Sequence, residues 1–516
     1  MVKIFIDDIP FEVKEGSTVF EAAKQSGIAI PHLCYHPAFE PEGSCRMCLV
    51  EIEGMPKLEL ACSTRVREGM KISTRSERVV AARQGVLEFL LAEHPPDCPI
   101  CDKAGECKLQ DYYEDYGLFD SRMNEDKERR PKKVEIGRHL ILDQERCILC
   151  TRCVRFLRQV TETQELGVFE RGIHTAVDIY EGRPVDNNYS GNLAEVCPVG
   201  AITDRDFRFQ TRTWFLSDGD SICPLCSRGC AVTIESHKGF SRFPVPKKVY
   251  RIKSRFDPDV NGHWICDLGR YGYGYLNGGR RTGPKDKAGK IKTWDQAVDF
   301  LAGLVKPLRY KNRTDRIAVV FHTELSNEEL FLLKRLFIQD LKGARLYRAD
   351  RPDGESDGRL LTAERSPNRR GAREVGIEAP EAAPETITQG TDLLLMFGTR
   401  LVETFGLSAV QAAIDGTGTS VLIAAAAHPV DESVDMVLPA LWTAEKSGSL
   451  TNVDGRILRF EPAVPASEGG RAESSLLVNL GKVLGIDFGF YNRLHTPEDV
   501  YREMAKDIPF FGKHSD

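Results

Sequence analysis

Four groups of soft and borderline metal donors are spaced along the first half of the chain. From His94 to Cys107 the sequence reads HPPDCPICDKAGEC, which places His94, Cys98, Cys101 and Cys107 at H-x3-C-x2-C-x5-C. Pro95, Pro96, Pro99 and Gly105 make this stretch a loop with little apolar surface for burying thiols as small hydrophobes, so ligation is the chemistry it suits. A second group, Cys34, Cys45, Cys48 and Cys62, has the spacing C-x10-C-x2-C-x13-C. A third sets Cys147, Cys150 and Cys153 at C-x2-C-x2-C, with a remote Cys197-Pro198, and a fourth sets Cys223, Cys226 and Cys230 at C-x2-C-x3-C, with Cys266 further on. All 15 cysteines fall into these groups, and with His94 they complete four sets of four donors. Sulfur-rich sets of four suit one zinc ion or one iron–sulfur cluster, and spacing alone leaves both open.

The whole-chain properties narrow the setting. An odd number of cysteines with no signal-peptide pattern and no C-terminal retrieval signal argues against a disulfide framework and predicts a reducing compartment. At 516 residues the chain is long enough for three or more domains, and its net charge of -6 gives no electrostatic footprint for nucleic acid. No uninterrupted apolar run of about 18 residues is present, so membrane association is expected only through partners. Gly272, Gly274, Gly278 and Gly279 in RYGYGYLNGGR lack the spacing and context of a dinucleotide-binding loop. No catalytic residue is assigned on this chain.

The elements that must position these donors divide the chain into five stretches. Residues 1–78 open with an expected hairpin, Val2 to Asp7 and Phe11 to Val13 around a turn at Asp8-Ile9-Pro10. A helix follows, capped by Thr18 and Glu21 and stopped by Gly27. Residues 79–118 begin with a helix through Val80, Gln84, Leu87, Phe89, Leu90 and Leu91 that delivers the chain to His94. The charged run SRMNEDKERRPKK from Ser121 to Lys133 predicts a solvated linker, the alternative being a patch for an acidic partner. Residues 138–215 hold the third donor set, with Leu157 where a two-cluster ferredoxin would continue with a further cysteine. Arg146, Arg152 and Arg155 surround that set and either offset cluster charge or are simply solvated. Residues 216–272 hold the fourth set. In residues 273–516, Ile317–Phe321, Leu393–Phe397 and Val421–Ala425 read as buried strands, and a helix through Leu330, Leu333 and Phe337 is capped by Ser326 and Glu329. Strands alternating with helices predict a doubly wound parallel sheet, so the fold class is multidomain α+β followed by α/β.

Several of these stretches resemble known families. The first, with its ββα start and Gly43-Ser44 leading into Cys45-Arg46-Met47-Cys48, resembles a β-grasp 2Fe–2S ferredoxin of the respiratory and hydrogenase type. The run VLEFLLAEHPPDCPICDKAGECKLQD is very similar to the 4Fe–4S segment with one histidine and three cysteine ligands found in respiratory NADH-quinone oxidoreductases, iron-only hydrogenases and NAD-linked formate dehydrogenases. Cys147 to Cys153 with Cys197-Pro198 looks like a 4Fe–4S ferredoxin motif. The fourth set, with Trp264-Ile265-Cys266-Asp267-Leu268-Gly269-Arg270, resembles the cluster module of molybdopterin oxidoreductases, a zinc ribbon being the competing reading. Glu445 to Arg456, EKSGSLTNVDGR, matches a motif of the same family.

Together these resemblances are to the large iron–sulfur subunit of bacterial-type NADH-quinone oxidoreductase. They imply one 2Fe–2S and three 4Fe–4S clusters. The implied path runs from the 2Fe–2S site to the Cys147 cluster and the His94 cluster, with the Cys223 cluster off it. They also imply a flavin- and NADH-binding subunit and other peripheral-arm subunits as partners, at the cytoplasmic face of the bacterial inner membrane. Residues 273–516 depart from the molybdenum enzymes: they are less than half the usual length, contain no cysteine, and follow Leu268 where active relatives carry a basic residue. No molybdopterin is expected. The rival functions are the electron-input subunit of an NAD-linked formate dehydrogenase or hydrogenase, and a zinc-binding scaffold.

Overall fold

Val2–Ile6 (β1) and Ile9–Val13 (β2) pair antiparallel, joined by Asp7 and Asp8 with φ of 49° and 67°. This is the two-residue turn with both central residues left-handed, whose twist matches the strands it joins. The turn therefore lies one residue earlier than expected, and Pro10 sits within β2, an edge strand where its missing N–H costs no ladder bond. The Asp7 carboxylate accepts from the backbone N–H and hydroxyl of Thr74, at 2.6 and 2.5 Å, which holds the turn on the sheet.

The computed structural model describes residues 1–239, 247–398 and 400–513 and divides the chain into two units, 1–216 and 217–516. In the first unit, Leu49–Ile52 (β3), Glu59–Leu60 (β4) and Lys71–Ser73 (β5) complete a mixed sheet in the order β2-β1-β5-β3-β4. Helix α1 (Val19–Gln25) buries Val19, Phe20, Ala22 and Ala23 in one core with Ile4, Ile6, Val50, Ile52 and Ile72. Each large apolar side chain so buried contributes about 1.5–3 kcal/mol. The expected capping box of Thr18 and Glu21 is present.

Helix α2 (Glu77–Glu93) ends at His94, because Pro95 and Pro96 cannot continue it. Helix α3 (Lys108–Tyr116) starts directly after Cys107. The charged run from Ser121 to Lys133 is mostly exposed, as expected of a solvated linker, but it is tied to the His94 loop at several points. Lys127 Nζ donates to the Leu91 and Ala92 carbonyls at the end of α2, at 2.6 and 2.7 Å. Glu128 N donates to Glu93 at 2.8 Å, and Lys132 pairs with Asp97 at 2.8 Å and Glu145 at 2.6 Å. Lys127 and Lys132 thus strap the chain to the His94 loop.

The third donor set lies beside a three-stranded sheet of Ile202–Asp204, Leu140–Leu142 and Val134–Glu135, the last strand ahead of the expected start at 138. Helix α4 (Arg152–Phe156) runs into a π-turn, Leu157–Thr161, and α5 (Asn192–Val196) leads to Cys197.

In the second unit, strands Leu216–Ile222, Ala231–His237 and Val249–Ser254 form a sheet that brings Cys223 and Cys230 to its edge, and α6 (Asp267–Tyr271) begins at Cys266. The larger sheet has four parallel neighbours, Arg345–Arg348, Ile317–Phe321, Leu393–Phe397 and Thr419–Ala424, and a fifth, Met436–Pro439. An edge strand, Lys285–Asp286, runs antiparallel to it. Alternate residues serve opposite faces: Val319, Leu395 and Ile423 pack with α7 (Trp294–Tyr310) and α8 (Asn327–Leu333), whereas Val320, Met396 and Leu422 pack with Val410 and Ile414 from helix Leu407–Asp415. Both faces are covered, as a doubly wound sheet requires. Ser326 and Glu329 form the expected capping box at α8. The Glu329 carboxylate also receives buried Lys446 Nζ at 2.7 and 2.8 Å, and Glu473 receives it at 2.6 Å.

Candidate metal centres

Cys34, Cys45, Cys48 and Cys62 are all buried and stand as two close pairs. Cys45 is hydrogen-bonded thiol to thiol with Cys34, and Cys48 with Cys62. Cys34 is drawn down to about 5 by its bond from Cys45, against burial, while the same bond and burial push Cys45 up. Cys62 is lowered by its bond with Cys48, and Cys48 is raised. Two close pairs of thiols fit a group with two irons, one pair to each. His32 and His36, which flank Cys34, point their rings elsewhere. His32 Nδ1 lies 3.0 Å from the Ile30 carbonyl and Nε2 lies 3.3 Å from Lys108 Nζ, while His36 Nδ1 accepts from Ala38 N at 3.2 Å.

His94, Cys98, Cys101 and Cys107 line one pocket, together with Arg146 and Gly200. His94 Nδ1 is buried with no hydrogen-bond partner, while the backbone of Arg146 bonds the ring. Burial, then the charges of Arg146 and Lys127, lower the imidazole to about 4, so it is neutral at pH 7 with a lone pair to give. Burial pushes Cys107 up to about 11 against backbone N–H groups of Leu109 and Gln110 at the start of α3. The donor set and its orphaned nitrogen fit a cluster held by three thiolates and one imidazole.

Cys147, Cys150, Cys153 and Cys197 line a second pocket whose other walls include Leu142, Val177, Val199 and Ile202. Leu149 and Thr151 take φ of 51° and 58°, left-handed positions that turn successive amides inward. Backbone N–H groups of Leu149, Arg152 and Val154 bond the thiols of Cys147, Cys150 and Cys153 respectively. Burial still pushes Cys147 up to about 11 and Cys150 to about 12. Four thiolates in so dry a space need a metal's charge, and this cage fits a 4Fe–4S group.

The fourth set is closed by Cys223 N donating to the Cys230 carbonyl at 2.8 Å and by Gly269 N donating to Cys266 Sγ at 3.4 Å. All four thiols are buried, and burial lifts Cys266 to about 12 and raises Cys223 and Cys230. Among the described residues, no three His, Cys, Asp or Glu side chains converge tightly enough to hold a single metal ion.

Plain solvation of the three arginines is overturned: Arg146, Arg152 and Arg155 are 4, 6 and 2 % exposed. Arg152 Nη1 donates to the Val196 carbonyl at 3.3 Å and Nη2 to that of Tyr35. Arg155 donates to the carbonyls of Cys34, Glu40 and Cys150. On the other side of the third module, Arg146 Nη2 pairs with Asp97 at 3.0 Å, Lys103 Nζ donates to the Ala194 carbonyl at 3.0 Å, and Arg212 Nη1 donates to the Cys101 carbonyl at 2.7 Å. Sequence reasoning misses Gly200 and Arg212, for which no local signal exists.

Three family models match in chain order: a 2Fe–2S iron–sulfur cluster binding domain over residues 1–77, an NADH-ubiquinone oxidoreductase-G iron–sulfur binding region over 83–122, and the ferredoxin-like domain of NADH-quinone oxidoreductase subunit 3 over 137–203. The G subunit of NADH-quinone oxidoreductase from Streptomyces coelicolor is 39% identical over 309 residues, 58% of this chain and 36% of the relative. The iron–sulfur domains of the chain are of the kind found in this subunit. The NADH-ubiquinone oxidoreductase 75 kDa subunit of Reclinomonas americana is 38% identical over 67% of this chain and 49% of its own length. The chain thus spans between about a third and a half of these relatives. A crystal structure of an NAD+-reducing nickel–iron hydrogenase in its H2-reduced state is 31% identical, with a TM-score of 0.38, over 41% of this chain and 91% of the hydrogenase chain. Iron–sulfur binding domains of both the 2Fe–2S and the 4Fe–4S type are present. No helix of the described residues is long and apolar enough to cross a membrane.

Proposed function

We propose that this chain is the electron-carrying iron–sulfur subunit of an NADH-quinone oxidoreductase, taking electrons from a flavin- and NADH-binding partner towards quinone. The observation that carries the reading is the position of the third module: its ligand loops touch both other donor sets of the first unit. Arg155 reaches Cys34, and Gly200 closes on Cys101, so the order is the 2Fe–2S site, the Cys147 site, then the His94 site. In this reading Cys34, Cys45, Cys48 and Cys62 hold one 2Fe–2S cluster. Three 4Fe–4S clusters are held by His94 with Cys98, Cys101 and Cys107, by Cys147 with Cys150, Cys153 and Cys197, and by Cys223 with Cys226, Cys230 and Cys266. Such clusters, when bound, exchange single electrons with little nuclear rearrangement. The protein's part is to hold them dry, with amides and buried arginines facing their charge.

The domains are read as 1–78, 79–118, 138–215, 216–272 and 273–516, the last a truncated molybdopterin-oxidoreductase-like domain that braces its neighbours without binding a pterin. The other peripheral-arm subunits are its partners, at the cytoplasmic face of the inner membrane. The test is to isolate the native chain with its partners and count iron and sulfide per chain. The proposal expects about 14 irons, from one two-iron and three four-iron groups. Zinc in place of iron, or molybdenum or tungsten near one per chain, overturns it, and a pterin released on denaturation overturns the bracing role.

A further inference from the structure

We propose that Arg155 is a positioning residue that sets the separation of the 2Fe–2S and Cys147 sites and joins them electrically, an inference that rests on the function proposed above. The guanidinium lies on α4, two residues beyond Cys153, and is 2 % exposed. Its Nη2 donates at once to the carbonyl of Cys34 and, at 3.2 Å, to the carbonyl of Cys150. One nitrogen therefore links a donor residue of each site. Nη1 donates to the Glu40 carbonyl at 2.9 Å, Nε donates to Thr151 Oγ1 at 3.2 Å, and the guanidinium lies 5.4 Å from the Phe39 ring centroid.

Two physical points single this residue out. A guanidinium is a rigid planar fork of donors, so bonds from one fork to two loops fix the distance between them in a way a flexible ammonium cannot. Burying that cation is costly unless an opposite charge faces it. Its bonded partners here are neutral carbonyls and a hydroxyl, with one carboxylate, Glu42, at 3.7 Å on the rim and 40% exposed. Beyond that rim carboxylate, the anionic charge facing Arg155 is that of the two thiolate-ligated sites on either side. A cation placed between them favours an added electron on both, and the fork keeps the gap short. Arg152 runs a parallel bond pair one turn earlier, from Tyr35 beside Cys34 to Val196 beside Cys197.

The experiment uses the full chain carrying its clusters, with three variants, Arg155→Gln, Arg155→Lys and Thr151→Ala. Redox titration followed by electron paramagnetic resonance gives the midpoint of each site, and the spin–spin interaction between the two reduced sites gives their coupling. Arg155→Gln lowers both midpoints together and weakens the interaction. Arg155→Lys keeps the charge, so both midpoints hold while the interaction weakens, and Thr151→Ala does the same to a smaller degree. Electron exchange between the sites slows by about tenfold or more in the first two, as expected for a small misplacement of reacting centres. Unchanged midpoints and interaction in Arg155→Gln, a shift at one site alone, or loss of clusters from all three variants would overturn the proposal. Wild-type chain lacking either signal would instead sink the function it rests on.

Discussion

Gly200 lies so close to Cys101 that a β-carbon on it would stand 2.2 Å from the cysteine sulfur. The two residues belong to different modules, so the Cys197-Pro198-Val199-Gly200 segment is at once a wall of its own cage and a stop against the neighbouring one. Gly200→Ala must push the Cys101 thiol aside. The expected outcome is loss or broadening of the His94-site resonance, with the 2Fe–2S resonance retained. An unchanged spectrum would mean the segment can retreat and does not define the site.

His94 gives a sharper test of its own set. An imidazole in place of a thiolate removes one negative charge from the cluster's ligands, so His94→Cys is expected to keep a 4Fe–4S group but at a lower midpoint, provided the shorter side chain reaches. His94→Ala leaves three protein ligands and is expected to lose one iron or change line shape. Identical midpoint and line shape in both variants would remove His94 from the ligand set.

Much of this site is legible in the sequence. The donors announce themselves by spacing, and Thr18 with Glu21, or Ser326 with Glu329, mark helix starts by a local rule that needs only the next three residues. What stays hidden is decided at long range. Nothing near Lys127 says that its ammonium closes the end of a helix 35 residues upstream, although the run around it faces solvent as expected. The same holds for Arg155, whose partners Cys34 and Glu40 are more than 100 residues away. The hairpin turn falls one residue from its expected place because Asp7 tolerates a left-handed backbone with help from Thr74, a partner 67 positions off.

In the second unit, Lys446 with Glu329 and Glu473 predicts a pH dependence of stability. Burial, then the neighbouring Glu329 charge, raise Glu473 to about 8 from 4.5. The folded chain thus holds a proton there that the unfolded chain releases. Stability from this group is full below 4.5 and is lost as pH rises through about 8. Glu473→Gln should therefore gain stability over wild type as pH rises from 4.5 to about 8 and level off above that, read as the denaturant midpoint. Lys446→Met strands the Glu329 carboxylate and should cost about 3–5 kcal/mol. A Glu473→Gln difference that is flat with pH would refute the assignment.

Replacing Cys226 separates assembly from conduction. Metal binding at a buried cysteine set is coupled to folding, so Cys226→Ala should lower the yield of assembled complex. Turnover per assembled complex should be largely kept, because the proposed path lies within the first unit. Normal yield with abolished turnover would move the Cys223 site onto the path.

Of the 15 cysteines, Cys98 alone is exposed; Cys147 is partly covered and the others are buried. Oxidation of a cysteine follows its accessibility and thiolate character, and a ligand thiolate at the surface offers both. In the isolated chain the His94 site should be the first to decay in air, through attack of peroxide on Cys98 and release of iron, while the enclosed sites keep their colour. The shelf life of this protein outside its complex is then set by one sulfur atom.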